Sequence, residues 1–369
     1  MIFYIRALYK YCQIFYEETH NLNTMPIIIS IIGVKMHITF FEIQGWEKPM
    51  IKKALKNHSL VFIKEPLTLE NIKLAKNSDI ISIFIYSHLN QKILSNLNKL
   101  KFIATRSTGF DHIDIKTCKK KNIKVSNVPS YGENTVAEHT FALILALSRN
   151  VHKSYLRTLQ RDYSIEGLKG FDLKDKILGV IGAGRIGKHV IRIARGFEMK
   201  VLVTDSHKDD FLAEQLNFKY VSLTELLKKS DIITLHIPLT KENNHLINKD
   251  TLKLMKKGSI LINTSRGQLV DTKALIWGLD KKILAGVGLD VLEGEELIKE
   301  EKQLLYDKKK IEALEQLVED HILLAKDNVV FTPHIAFYSK EALERIIQKT
   351  IDNINNFISG KSDKESVVC

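Results

Sequence analysis

From Met36 onward, short runs rich in β-branched and aliphatic residues alternate with segments whose apolar positions recur at helical spacing. Residues 36–42, 60–63, 79–85, 101–106 and 123–127 read as strands. Strands separated by helices cannot pair as hairpins, so the pattern predicts an α/β fold with parallel sheets. A long apolar-faced helix, residues 134–149, then carries the chain into a second series, with strands at 177–181, 200–205, 231–236, 259–263 and 284–289. A last strand, 328–331, leads through Thr332-Pro333-His334 into an amphipathic helix at 340–358. No Gly/Ser/Pro-rich run separates the two series, which predicts two domains joined by helices rather than by a flexible tether. Residues 1–35 break the alternation: an aromatic stretch (Phe3, Tyr4, Tyr9, Tyr11, Phe15, Tyr16) precedes an isolated β-prone run, and the segment reads as an extension with no assigned role.

Composition adds little to this picture and removes several alternatives. At 369 residues the chain can bury two substantial cores, and 44% apolar with 27% charged residues is ordinary for a globular protein. Lys+Arg outnumber Asp+Glu by 55 to 43, a net charge of +12, which raises the question of an anionic partner. The lysines are scattered and form no basic stripe interleaved with aromatics, so neither nucleic acid nor membrane is expected as a partner; the field suits small anions. Cys12, Cys118 and Cys369 lie far apart, with no C-x-x-C pair and no His cluster at zinc spacing, so no disulfide framework and no metal are expected. Residues 26–34 are too short an apolar run to span a bilayer and lack the flanks of a secretory signal, which points to a reducing, cytoplasmic setting.

The first chemistry-bearing motif is Gly182-Ala183-Gly184-Arg185-Ile186-Gly187. A lone G-x-G-x-x-G is a weak signal, but this one follows the apolar strand at 177–181, opens an amphipathic helix, and precedes a second strand ending at Asp205. In that context Gly182 makes the tight turn, Gly184 lets backbone approach a pyrophosphate, and Gly187 lets helix pack on strand. The helix N-terminus offers N–H groups and partial positive charge to the phosphates. Asp205 is expected to accept the adenosine ribose hydroxyls and to repel the extra phosphate of NADP, which favours NAD.

Three later segments each end a strand with a polar residue: Asn263-Thr264-Ser265-Arg266-Gly267, Asp290-Val291-Leu292-Glu293-Gly294-Glu295, and Thr332-Pro333-His334. Singly they are ordinary loop residues. Downstream of a dinucleotide loop they supply what reduction of a 2-oxoacid needs. Arg266 is a permanently charged planar fork that can pin a carboxylate and polarise the ketone. His334 can give a proton to the developing alkoxide. A carboxylate behind the imidazole, from Glu293 or Glu295, would keep it protonated.

With these segments, Arg106-Ser107-Thr108-Gly109-Phe110-Asp111-His112-Ile113-Asp114 and Asn134-Thr135-Val136-Ala137-Glu138-His139 resemble the D-isomer-specific 2-hydroxyacid dehydrogenases, from Met36 to about Gly360. The segment 290–295 and His334-Ile335-Ala336-Phe337-Tyr338 are similar to the D-lactate dehydrogenase branch. The resemblance implies Arg266, Glu295 and His334 as catalytic residues, with Glu295 rather than Glu293 behind the histidine. It implies cofactor contacts from Gly182, Gly184, Arg185, Ile186, Gly187, Asp205, Ile237, Pro238, Asn243, Thr264, Ser265, Arg266 and Asp290, the last meeting the nicotinamide amide. Thr108 and Gly109 would hold the substrate carboxylate beside Arg266, and Tyr131 would line the substrate pocket. Two Rossmann-like or flavodoxin-like domains follow, the NAD-binding domain (134–333) being inserted into a discontinuous substrate domain (36–133 and 334–369). A homodimer is expected, with helix 134–149 as its interface candidate. The charged stretch 296–325 departs from the family pattern in sequence while resembling the branch in kind.

Two other readings of the same residues stay open: a dehydrogenase for a larger 2-oxoacid such as phenylpyruvate or 2-oxoisocaproate, and an NAD(H)-sensing regulator without turnover. The crowding of Phe337 and Tyr338 beside His334 favours a small substrate, and the presence of all three catalytic side chains favours turnover. His139, His236 and His112 read as packed or locally bonded histidines rather than catalytic ones.

Overall fold

The computed structural model describes residues 35–294, 311–361 and 365–369. The extension before residue 35 and the segment 295–310, which includes Glu295 and the start of the charged stretch, lie outside the described residues. The chain divides into two compact units: one runs to Tyr131 and resumes at Leu343, and the other is Gly132–Ala342. The return to the first unit falls inside the last helix rather than at 334, so His334 belongs to the second unit.

In the first unit, β1 (His37–Phe40), α1 (Lys48–Ala54), β2 (Ser59–Phe62), β3 (Ile80–Ile83), α2 (Gln91–Ser95), β4 (Phe102–Thr105), α3 (Ile115–Lys120) and β5 (Lys124–Ser126) follow in order. The strands form a parallel sheet ordered β2-β1-β3-β4-β5, the flavodoxin-like arrangement. Both faces of the sheet are covered, which is why its strands read as nearly unbroken apolar runs. Ile38, Phe40, Ile80 and Ala104 pack on one side with Ile347, Ile351 and Ile354 of the last helix, Lys340–Ile358. Their spacing of four and three residues is the apolar stripe seen in the sequence. Phe41, Ile81, Ile83, Ile103 and Val125 fill the other side.

The second unit opens with α4 (Glu133–Ser148) and α5 (Val151–Leu159). There follow β6 (Ile177–Ile181), α6 (Arg185–Gly196), β7 (Lys200–Thr204), α7 (Asp210–Leu216), β8 (Lys219–Tyr220), α8 (Leu223–Lys229) and β9 (Ile232–Leu235). The unit continues with α9 (Lys249–Leu254), β10 (Ser259–Asn263), α10 (Thr272–Asp280), β11 (Leu284–Leu289), α11 (Ile311–Leu324), β12 (Val329–Phe331) and the start of α12, the last helix. Its parallel sheet runs β12-β11-β10-β9-β6-β7-β8. The two-residue strand β8 is too short to leave a periodic signal, and the sequence does not announce it. α7, α8, α9 and α10 each close their N-termini with a side chain, from Asp209, Ser222, Asn248 and Asp271. α6 starts instead at Gly184.

α4 packs its apolar side into its own unit. Its apolar residues Ala137, Phe141, Leu143, Ile144 and Leu147 are buried inside the unit, and Phe141 stacks on Phe197 at 5.4 Å between centroids. The exposed apolar face belongs to α5 and the loop after it, where Val151, Tyr155, Leu156, Leu159, Tyr163 and Ile165 all stand in solvent.

Candidate active site

Parallel register in the second unit sets Phe331, Leu289, Asn263, Leu235, Ile181 and Thr204 in one row across six strands. The next residue of each strand therefore leaves the sheet at its carboxyl edge beside its neighbours: Thr332, Asp290, Thr264, His236, Gly182 and Asp205. The strand order turns back between β9 and β6, and in open α/β sheets that reversal opens the crevice where ligands bind. The row gathers residues from 182 to 332, with Arg266 and His334 each two residues beyond a member of it, which the sequence alone could only enumerate.

At the centre of the row lies the glycine loop. Gly182 has φ +97°, and a Cβ there would stand 2.5 Å from the His236 carbonyl oxygen. A Cβ on Gly187 would stand 2.0 Å from the Gly182 carbonyl oxygen, so helix α6 can sit this close to β6 only with glycine at that position. Gly184 differs: a Cβ there would meet nothing within 4 Å. Packing does not demand glycine at 184, whereas a ligand lying on the backbone would. At the N-cap, Gly184 also brings no side chain over the first-turn N–H groups, which helix geometry directs out of its end. Open space over Gly184 at a helix N-terminus fits the pyrophosphate of NAD.

Asp205 completes this end of the site. One carboxylate oxygen accepts from the Ala183 N–H at 2.7 Å and the other from the His207 N–H at 2.9 Å. Ser206 Oγ also donates to the second oxygen at 3.5 Å, so the oxygen that meets Ala183 keeps a further lone pair for a ribose hydroxyl, and the carboxylate charge opposes a 2′-phosphate. Ile237 and Pro238 follow β9, half-buried and exposed. Asn243, expected at the cofactor, uses its amide on its own loop instead: Oδ1 accepts from the Thr240 N–H at 2.7 Å and Nδ2 donates to the Pro238 carbonyl at 2.8 Å. It shapes the loop that carries Pro238. His236 is half-buried with its ring nitrogen Nδ1 shut from solvent, Nε2 meets Thr234 Oγ1 at 2.9 Å, and desolvation pushes its pKa down to about 3, so the ring is neutral.

Two strands from the glycine loop, Asn263 organises the segment that carries Arg266. It is wholly buried; its Nδ2 donates to the Arg266 carbonyl at 2.8 Å and its Oδ1 accepts from the Ser265 N–H at 3.0 Å. Ser265 Oγ donates to the Leu235 carbonyl at 2.6 Å, and buried Thr264 meets Thr140 Oγ1 at 3.1 Å. The half-buried Arg266 guanidinium donates to the Ser265 carbonyl at 2.8 Å through one nitrogen. β11 lies between the strands that carry Arg266 and His334, which sets their strand ends about 10 Å apart.

His334 sits half-buried with φ +56°, a left-handed conformation disfavoured for a residue with a Cβ. Its N–H donates to the Asp290 and Thr332 carbonyls at 2.9 and 2.8 Å, and Phe337 stands edge-on to its ring at 6.3 Å. Asp290 is buried, and its oxygens accept from Thr332 Oγ1 at 2.5 Å and from the Ile335 and Ala336 N–H groups at 2.9 and 2.8 Å. The carboxylate holds the turn around His334. Glu293 is engaged elsewhere too: Oε1 lies 2.7 Å from Nε2 of His245. Of the two acids considered behind His334, this one has another partner, and Glu295 lies outside the described residues.

In the first unit, Thr108 and Gly109 follow β4. Their carbonyls are occupied, Thr108 O by Asn127 Nδ2 at 2.8 Å and Gly109 O by Ser107 Oγ at 2.6 Å. Among the described residues neither of their N–H groups has an acceptor. Two free donors on a fixed loop are available to an anion. Behind it, buried Arg106 donates to Ser82 Oγ and to the Phe41 and Glu42 carbonyls, fixing the end of β4. His112, which burial chiefly and His88 secondarily push down to about 4, meets Thr105 Oγ1 at 3.2 Å, and Thr105 meets Ser107 at 2.7 Å. Tyr131 is half-buried at the end of the unit, its carbonyl accepting from Arg345 Nε at 2.6 Å. Sequence reasoning missed Asn263, Asn127 and Ser107 as organisers of these loops. Short polar residues at strand ends were the available signal.

The match to a family model for the D-isomer-specific 2-hydroxyacid dehydrogenase NAD-binding domain covers residues 141–336. A 2-hydroxyacid dehydrogenase homologue of Zymomonas mobilis is 38% identical, over 90% of this chain and 100% of that protein. The D-lactate dehydrogenase of Escherichia coli is 34% identical, over 90% and 100%. Among solved structures, D-lactate dehydrogenase from Aquifex aeolicus, complexed with NAD and lactic acid, superposes with a TM-score of 0.79 at 39% identity, covering 90% of this chain and 98% of that one.

Proposed function

This chain belongs to the NAD-dependent D-isomer-specific 2-hydroxyacid dehydrogenases, and from that premise we propose that it interconverts pyruvate and D-lactate, with His334 as the proton donor and acceptor. The observation that carries the proposal is the in-register row of strand ends, which puts the segments of Arg266 and His334 on the sheet edge that holds the glycine loop. NADH, when bound, supplies the hydride. Arg266 holds the substrate carboxylate through its planar fork and draws charge from the ketone. In the first unit, the Thr108 and Gly109 N–H groups are donors that suit an anion. His334 gives its proton to the carbonyl oxygen as negative charge develops there, and takes it back in the reverse direction. The role of holding His334 protonated is assigned to Glu295 from its place in the sequence. Phe337, edge-on to the His334 ring, favours a small side chain on the substrate. Free, buried Cys118, with its pKa pushed up to about 12 chiefly by burial, suits a reducing compartment, and we place the protein in the cytoplasm. No helix among the described residues is long and apolar enough to cross a membrane.

An NADH-oxidation screen over 2-oxoacids, with chiral analysis of the product, tests the assignment. Pyruvate is expected to be consumed and D-lactate formed. A kcat/KM about a hundredfold higher for phenylpyruvate would replace the pyruvate assignment with a larger-substrate one, since pocket fit is worth that much. Tight NADH binding without turnover of any 2-oxoacid would make the protein a sensor.

The exposed face of α5 supports a homodimer. Val151, Tyr155 and Leu159 share a side of the helix at four-residue spacing, and Tyr163 and Ile165 beyond it are 77% and 86% exposed. An apolar patch of this kind marks an interaction surface. Leu156→Glu combined with Leu159→Glu is expected to convert a dimer into a monomer in light scattering. A monomeric wild-type chain would remove the patch from this role.

A further inference from the structure

We propose that His139, Thr332 and Asp290 form a hydrogen-bonded relay that holds His334 in its left-handed backbone conformation, which makes His139 and Thr332 positioning residues for the proton-transfer step. The proposal rests on the reading of His334 as the group that moves the proton.

A histidine at φ +56° persists only if its surroundings impose that conformation. Asp290 imposes it from both sides of the residue. Its carbonyl receives the His334 N–H, and its carboxylate receives the two N–H groups that follow, Ile335 at Oδ1 and Ala336 at Oδ2. The carboxylate is itself fixed by Thr332, whose Oγ1 donates to Oδ1 at 2.5 Å. A carboxylate only accepts, so the single hydroxyl proton of Thr332 is committed to Asp290. The 2.9 Å contact between Thr332 Oγ1 and His139 Nε2 must then run the other way, with the histidine donating. This chemistry fixes the tautomer: His139 carries a proton on Nε2, the atom that also stands 3.5 Å from Asp290 Oδ1.

The direction of donation is therefore His139 to Thr332 to Asp290 to the turn that presents His334. His139 comes from α4, a rigid helix packed on the same sheet. Its neighbour Thr140 hydrogen-bonds Thr264 at 3.1 Å, two residues before Arg266. One helix thus braces both segments that carry catalytic side chains. Adjacent Glu138 faces away and pairs with Asn134, so His139 alone of the two reaches the site.

The test compares full-length wild type with His139→Leu and Thr332→Val, which remove the donors, and with His139→Gln and Thr332→Ser, which keep one at similar reach. The first two are expected to lower kcat by about tenfold to hundredfold, as a sub-ångström misplacement of a catalytic group does. NADH affinity is expected to stay unchanged, and the limb of the pH–rate profile that reports His334 to move. The Gln and Ser variants are expected to recover most of the activity. Long-range ¹H–¹⁵N imidazole spectra provide a readout independent of turnover: His139 is expected as the Nε2–H tautomer, and the His334 resonances to shift in the Leu and Val variants only. Wild type without turnover on any 2-oxoacid would defeat the functional reading alone. His334 resonances and kcat per NADH-binding site that stay put in Thr332→Val would defeat the relay, as would equal losses in the conservative and non-conservative pairs.

Discussion

Replacing His334 by alanine is expected to lower kcat by about 10²–10⁴-fold, the span of a positioned general acid, and to leave NADH affinity unchanged. The substitution takes away the imidazole while the groups that bind the dinucleotide, at the other end of the row, keep their places: the glycine loop rests on β6 and Asp205 on the Ala183 and His207 N–H groups. Alanine also bears a Cβ, so the left-handed backbone cost is not relieved, and the turn stays held by Asp290. A structural collapse and a chemical loss are therefore separable. Stopped-flow measurement of NADH binding and oxidation checks this: a fall in NADH affinity matching the fall in kcat would show that His334 supports the cofactor site, and retention of most of the turnover would require another proton donor.

The elements of the fold were legible because burial leaves a period. Strands β6, β10 and β11 and the helix α12 occupy the residues that the pattern predicts, and the other predicted strands and α4 differ by one or two residues at an end. Periodicity reports that a face is covered and says nothing about what covers it. Hence nothing in the sequence told that the apolar side of α4 closes its own unit, and the exposed face of α5 went unremarked. The register of parallel strands is likewise set by packing across the sheet rather than within any one strand. The row that gathers Gly182, Asp205, Thr264, Asp290 and Thr332 is not written in any local segment.

Side-chain partnerships were the least legible. No local pattern announces that Glu293 meets His245, 48 residues away. His139 was set aside because neighbours on a helix diverge, which holds for Glu138, yet that divergence is what frees His139 to reach Thr332, 193 residues on. Asp290 carries a charge at a strand end, the usual mark of a ligand contact, and only the fold reveals the three donors by which it also holds the turn around His334. Residue type and strand-end position located the site, but assigning each polar group a partner required the fold.

Arg266→Lys should raise the KM for pyruvate about tenfold to hundredfold, the loss of one charge-assisted hydrogen bond worth roughly 1.5–3 kcal/mol, with a smaller fall in kcat. Both side chains carry the same charge, so long-range attraction of the substrate anion survives. What is lost is the fork: an ammonium cannot present two parallel N–H groups to a carboxylate in one plane. The local scaffold does not depend on the guanidinium, because Asn263 holds the Arg266 carbonyl and the Ser265 N–H, and Ser265 holds the Leu235 carbonyl. The lysine variant therefore keeps the loop and changes only the head group. Its ammonium can replace the single bond to the Ser265 carbonyl or reach the substrate, but a point charge cannot serve both with the geometry of the fork. Steady-state kinetics with saturating NADH decide the matter: an unchanged KM for pyruvate would take Arg266 off the carboxylate.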